Sequence, residues 1–198
     1  MGGKAVDALC VEKFAATLDA AEAGGGGNSG ELGPEWNLEA AAPQARSDAR
    51  WATLVLFDQV SRNARRGTAG AFAFDARAAE LAVKMSSHGG EIEGDGVGGP
   101  MLNVLATALM HSESLENHEL LHSKLCGDWA ARFPEACEAM LPHAESHMAV
   151  IRRFGRFPHR NAALSRESTA AEVAWLASDE VPGWARSQSR LGQAKNEA

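Results

Sequence analysis

Trp51-Ala52-Thr53-Leu54-Val55-Leu56-Phe57 is the stretch on which the fold turns. Trp51, Leu54, Val55 and Phe57, followed by Val60, crowd one face at helical spacing, and the run is apolar almost all round. With Ser47 or Asp48 as its N-terminal cap, it predicts the most buried helix of the core. Polar residues accumulate as it runs out through Asp58-Gln59-Val60-Ser61-Arg62-Asn63, and Gly67 is a natural stop. Nowhere does the chain show the alternation of a half-buried strand or a two-residue hairpin turn, so the fold class is all-α.

The flanking segments extend that reading. Ala5 to Ala23 carries Leu9, Phe14 and Leu18 at the spacing of an amphipathic helix and stops at a glycine-rich stretch, 24–34, expected to be a flexible loop. Trp36 and Leu38 suggest a helical turn before Pro43. A helix is expected from Thr68 or Ala69 through Phe72 and Phe74, and another from Asp75 to Met85. A second loop is expected at 88–100. Met101 to Met110 reads as a second buried helix that delivers His111-Ser112-Glu113-Ser114 at its end. Leu115 to Phe133 reads as one amphipathic helix broken before Pro134, and the next as running to Phe154 with a kink or boundary at Pro142. Ser168 or Thr169 with Glu172 has the spacing of a capping box for a helix ending at Trp175-Leu176. From Asp179 polarity rises and the tail, 179–198, is expected to fray.

The 198 residues, 45% hydrophobic and 23% charged, suit one globular domain, expected over 1–178. A formal net charge of -7 argues against non-specific nucleic-acid binding, which needs a basic face. No apolar run approaches the roughly 20 residues that span a bilayer, and the first residues lack a signal-peptide core. The chain is therefore expected to be cytoplasmic, with no membrane association. Cys10, Cys126 and Cys137 are odd in number and lack C-x-x-C spacing, so they read as reduced thiols, the last two on apolar helix faces.

Two constellations carry chemistry. His118-Glu119-Leu120-Leu121-His122 matches H-E-x-x-H, which on a helix sets two imidazoles one turn apart with a carboxylate beside them, the pattern of a zinc hydrolase. His143 and His147 form another pair four apart. Helices rich in Glu and His need no metal, however, and no cofactor is expected. The second constellation is dispersed. Arg152-Arg153-Phe154-Gly155-Arg156-Phe157-Pro158-His159-Arg160-Asn161 packs four arginines and a histidine into ten residues of an acidic chain. If it meets the helix ends bearing Asp58, Gln59, Arg62, Asn63 and Arg66, and His111, Ser112 and Glu113, a polar pocket results. Arg62, Arg153, Arg156 and Arg160 would hold an anion bidentately, and His111 and His159 would move protons. The plain alternative is an internal network in which Asp58 and Glu113 neutralise the arginines.

Three strings together resemble a known family. Asp58 to Asn63 with Arg66-Gly67-Thr68 and Ala71-Phe72-Ala73, then His111-Ser112-Glu113, then Phe154 to Asn161 with Arg166-Glu167-Ser168-Thr169, are similar to the bacterial domain-of-unknown-function family nine-two-four, over about Trp51 to Leu176. The resemblance implies a tetratricopeptide-like array of antiparallel helices. It implies no reaction and supplies no catalytic residue. Ser61 and Ala64 stand where that family usually has proline and an aromatic, and His118 where it tends to have glutamine, which weakens the zinc reading. The expected partner is a small anionic molecule bound at Asp58, Gln59, Arg62, Asn63, Arg66, Ser112, Glu113, Arg153, Arg156, Arg160 and Asn161. The alternative is a tetratricopeptide-like module that binds a peptide.

Overall fold

The computed structural model describes residues 3–23, 43–87 and 98–186. These residues make an all-α fold with no strand among them. Helix α1 spans Gly3–Ala21 and α2 spans Pro43–Leu54; α2 runs on through a π-helical turn, Val55–Val60, into α3, Ser61–Ala64. After a 3-10 turn at Ala69–Phe72 come α4, Asp75–Ser87, and α5, Gly99–Met110. Then follow α6, Leu115–Cys126, the short α7, Asp128–Arg132, and the long α8, Pro134–Phe154. A 3-10 turn at Pro158–Arg160, α9 at Ala170–Leu176 and a last turn at 183–186 complete the described chain. None of its helices is long and apolar enough to cross a membrane.

Burial divides into two apolar clusters. The larger gathers Leu18, Leu54, Phe57, Phe74, Met85 and the inward face of α5, with Phe57 stacked on Phe74 at a ring distance of 4.5 Å. The smaller joins Val150 and Ile151 of α8 to Phe157, Trp175, Val181 and Ala185. Helix α5 buries Leu102, Leu105, Ala106, Ala108, Leu109 and Met110, and the Trp51–Phe57 run buries Trp51, Thr53, Leu54, Leu56 and Phe57, with Val55 38% exposed. The run passes into the π-helical turn, where Asp58 is completely buried.

Other boundaries differ from those expected, each for a local reason. The Leu115–Phe133 helix breaks at Gly127, where a side chain's Cβ would meet the Ser123 carbonyl oxygen at 2.8 Å. Pro142 lies inside α8 without ending it, because Cys137, Met140, Ala144, His147 and Met148 keep both sides docked. The helix expected through Phe72 and Phe74 is only the 3-10 turn. Cys126 is exposed, not on a buried face, while Cys10 and Cys137 are buried; all three are free thiols. The chain does not fray at Asp179, since Val181 and Ala185 are buried and Arg186 Nε donates to the Val181 carbonyl at 2.8 Å. The expected loop at 24–34, the turn at Trp36, most of the loop at 88–100 and the tail beyond 186 lie outside the described residues.

Candidate functional site

The site is assembled where four helix or turn ends meet. The π-helical turn and α3 supply Asp58 and Arg62, the start of α4 supplies Asp75, the end of α5 supplies His111, and the Pro158–Arg160 turn supplies Arg160. That turn is aimed by Gly155, whose φ of 69° closes α8 in the left-handed region. Asp75 then bridges two guanidiniums, with Oδ1 at 2.7 Å from Arg62 Nη2 and Oδ2 at 3.0 Å from Arg160 Nη1. Arg160 also donates to the His111 carbonyl at 3.0 Å and lies over the rings of Phe72 and Phe157, 4.9 and 4.4 Å from their centroids. His111 Nδ1 is 2.6 Å from Asp58 Oδ1, and Gln59 donates to Asp58 Oδ2 at 2.6 Å.

Charge in this cluster is strongly conditioned by its surroundings. Burial alone would raise the Asp58 carboxyl, but His111, Arg62 and Gln59 outweigh it and hold the group far below the usual carboxylate range. Burial would likewise lower Arg62, yet Asp75 and Asp58 raise it. Burial, then Arg62, pushes His111 below the ordinary imidazole value against the pull of Asp58. Arg160, the most enclosed cation, is pulled down by burial to about 10 despite Asp75.

A second network flanks the first. Arg166 grips Glu113 with two hydrogen bonds of 2.7 and 3.0 Å, while Glu113 also accepts the Phe157 N–H at 2.8 Å. Arg156 grips Glu172 at 2.6 and 2.8 Å, and Glu172 closes the capping box with Thr169. Asn161 ties the two together, accepting from Arg166 Nε at 3.0 Å and donating to Ser168 Oγ at 3.0 Å. Ser112 Oγ accepts from Ser114 N and Asn117 at 3.1 and 2.9 Å. The remaining arginines of the expected site lie apart from it. Arg66 pairs with Asp7 and donates to Asn63 at 2.6 Å, and Arg153 pairs with Glu180 at 2.7 Å. Asn63 itself donates to the Gln59 carbonyl at 2.9 Å. Thus Arg62, Arg66, Arg153 and Arg156 each face a carboxylate of this chain, as in the internal network that was the plain alternative.

A cavity of about 330 Å³ does open beside the cluster, walled by His111, His143, His147, His159, Arg160 and Trp184, with Thr107 and Met140 among its other lining residues. Of the expected site residues, only His111, His159 and Arg160 reach it. His147 lies on Trp184, and Trp184 donates to Ser146 at 3.1 Å. Asp75, Arg166 and Trp184 were not among the expected residues. Asp75 reads as an ordinary acidic start to a helix, and Trp184 lies past the point where the chain was expected to fray.

The H-E-x-x-H residues part company. His118 is buried with Nε2 donating to the Ser112 carbonyl at 2.9 Å, and burial lowers its pKa. His122 is 3.5 Å from Glu145, and Glu119 is 3.8 Å from Arg152. Among the described residues no three His, Cys, Asp or Glu groups converge as metal ligands do.

Fold and site define an all-α protein whose helix ends are locked by paired charges around a histidine-walled cavity. The model of the family described as bacterial protein of unknown function (DUF924) matches residues 1–180, and the chain belongs to that family. The match takes in α1, ahead of the strings that carry the resemblance. Among solved structures, the chain is similar to the protein of unknown function ATU0120 from Agrobacterium tumefaciens: 26% identity over 88% of this chain and 85% of that one, with a TM-score of 0.64. No curated protein matches.

Proposed function

We propose that this protein binds a small anionic molecule in the cavity between α5, α8 and the turns at Pro158–Arg160 and 183–186. The observation that carries the reading is Arg160, which lines the cavity although its side chain is only 5% exposed, and whose Nε–H has no hydrogen-bond partner. A buried donor left unmade costs about 1–3 kcal/mol, so an orphan kept beside a cavity marks a place for an acceptor from outside the chain. Asp75 is shared between Arg160 and Arg62, and Arg62 is held in addition by Asp58. The modest volume and the aromatic wall suit a small acid.

A thermal-shift screen of small carboxylates and phosphates tests it. At 100 times its Kd, a ligand stabilises the folded state by about 2.7 kcal/mol. The expected result is a rise in Tm with one class of acid that disappears in Thr107→Phe, which fills the cavity from its wall. No rise with any acid, or a rise that survives Thr107→Phe, would overturn the reading. A rise with peptides alone would favour the interaction module instead.

A further inference from the structure

His111 has one ring nitrogen settled and one left over. Nδ1 sits 2.6 Å from Asp58 Oδ1 and 3.0 Å from Arg62 Nε. Two lone pairs do not meet at 2.6 Å, so a proton lies between the imidazole and the carboxylate, and the ring nitrogen is its place while Asp58 stays ionised. Arg62 Nε also lies 3.4 Å from the same Asp58 oxygen, an acceptor within its reach when Nδ1 carries the proton. Nε2 is left with its lone pair, on a side chain that is 17% exposed and lines the cavity. A carboxylate that pins Nδ1–H and leaves Nε2 basic is the arrangement of a general base with its orienting partner.

Two further observations name the chemistry. Among the described residues that line the cavity, the single hydroxyl, Thr107, donates its proton to the Asn103 carbonyl at 2.7 Å, and none is Ser or Cys. The nucleophile that His111 can activate there is therefore water. Arg160, on the cavity wall, supplies a guanidinium of the kind that stabilises an oxyanion. We propose that the cavity hydrolyses a small ester, with His111 as base, Arg160 as oxyanion donor and Asp58 as the residue that positions His111.

In that step Nε2 takes a proton from water and the resulting hydroxide adds to the ester carbonyl carbon. The tetrahedral oxyanion is met by the Arg160 guanidinium. As it collapses, the bond to the alcohol oxygen breaks and the imidazolium returns its proton to that oxygen. An acid and an alcohol leave, and water is the only other reactant. The acid product is the small anion of the proposed binding site, so the inference rests on that reading of the cavity.

Imidazole nitrogen NMR and hydrolysis of p-nitrophenyl acetate test it together. The wild-type His111 ring is expected with Nδ1 protonated and Nε2 bare. Asp58→Asn frees Nδ1 to accept from Arg62 and is expected to move the proton to Nε2, with turnover falling alongside. His111→Gln is expected to lose about 10²-fold in turnover, His122→Gln none, and Thr107→Phe nearly all, which covers the case of a His111 variant that does not fold. A wild-type ring protonated at Nε2 overturns the dyad. Turnover equal in His111→Gln and wild type overturns the hydrolysis. Turnover lost in His111→Gln with no acid stabilising the protein removes the anion reading and keeps the ester reading; stabilising acids with unchanged turnover do the reverse.

Discussion

His147 lies flat on Trp184, the rings 3.8 Å apart and within 10° of parallel, with Nδ1 donating to the His143 carbonyl at 2.7 Å. Burial, opposed only in part by that hydrogen bond, pulls its pKa down to about 3, with His111, His118 and Arg160 adding to the effect. The unfolded chain takes a proton here near the ordinary value of 6.5, whereas the folded protein declines it until about 3. Stability therefore falls as pH drops below about 6.5, and the loss from this group is complete near 3. His147→Phe keeps the stack and removes the proton site. Its Tm should fall less steeply with pH between about 6.5 and 4.5 than that of the wild type, measured by calorimetry. His111 and His118, shifted the same way, leave part of the slope in place.

Carboxylates act in a lower window. The hydrogen bonds from Arg156, aided by Thr169 against a burial penalty, hold Glu172 at about 2 instead of 4.5. A depressed carboxyl contributes stability that is present above 4.5 and is lost as pH falls towards 2. Glu172→Gln should flatten the acid limb of the Tm profile below about 4.5 and leave the histidine window unchanged.

Asp75 is the counter-ion of two enclosed guanidiniums. Asp75→Asn leaves Arg62 with Asp58 alone and Arg160 without a carboxylate, and should destabilise the fold by about 3–5 kcal/mol in urea unfolding. Asp179→Asn, which alters an exposed pair at 3.7 Å, should change stability by under about 1 kcal/mol.

Gly155 stands at φ 69° with nothing within 4 Å of where a Cβ would be. A substitution there meets only backbone strain. Gly155→Ala should cost about 1–2 kcal/mol and Gly155→Asn less, since asparagine tolerates this region. Thr169→Ala, at the N-cap of α9, should cost about 1 kcal/mol.

What could be read beforehand was what adjacent residues decide. The capping box of Thr169 and Glu172, the end of a helix at Phe154, the helical class and the delivery of His111 at the end of α5 are all local, and all stand in the structure. The π-helical turn leaves no such mark, because one residue more per turn is not written in side-chain spacing; yet Asp58 lies in it and is completely buried. Site residues were legible by type and not by partner. Arg66 and Arg156 look alike in sequence, but one reaches Asp7 on α1 and the other Glu172 on α9. Sequence separation hid the pairing of Asp75 with Arg160, 85 residues apart.

The two apolar clusters do not merge, and the charged groups lie along the seam between them. The smaller cluster takes Val150 and Ile151 from α8 and closes them under Phe157, Trp175, Val181 and Ala185. Residues 156–186 are held to the rest not only by Arg160 on Asp75 and the His111 carbonyl but also by Glu113 with Arg166 and the Phe157 N–H, by Arg153 with Glu180 and by Trp184 with Ser146, so their opening needs all of these released together. A molecule seated against His111 and Trp184 at once would span that seam, and its arrival would be felt first as slowed exchange in α9, a helix outside the cavity wall.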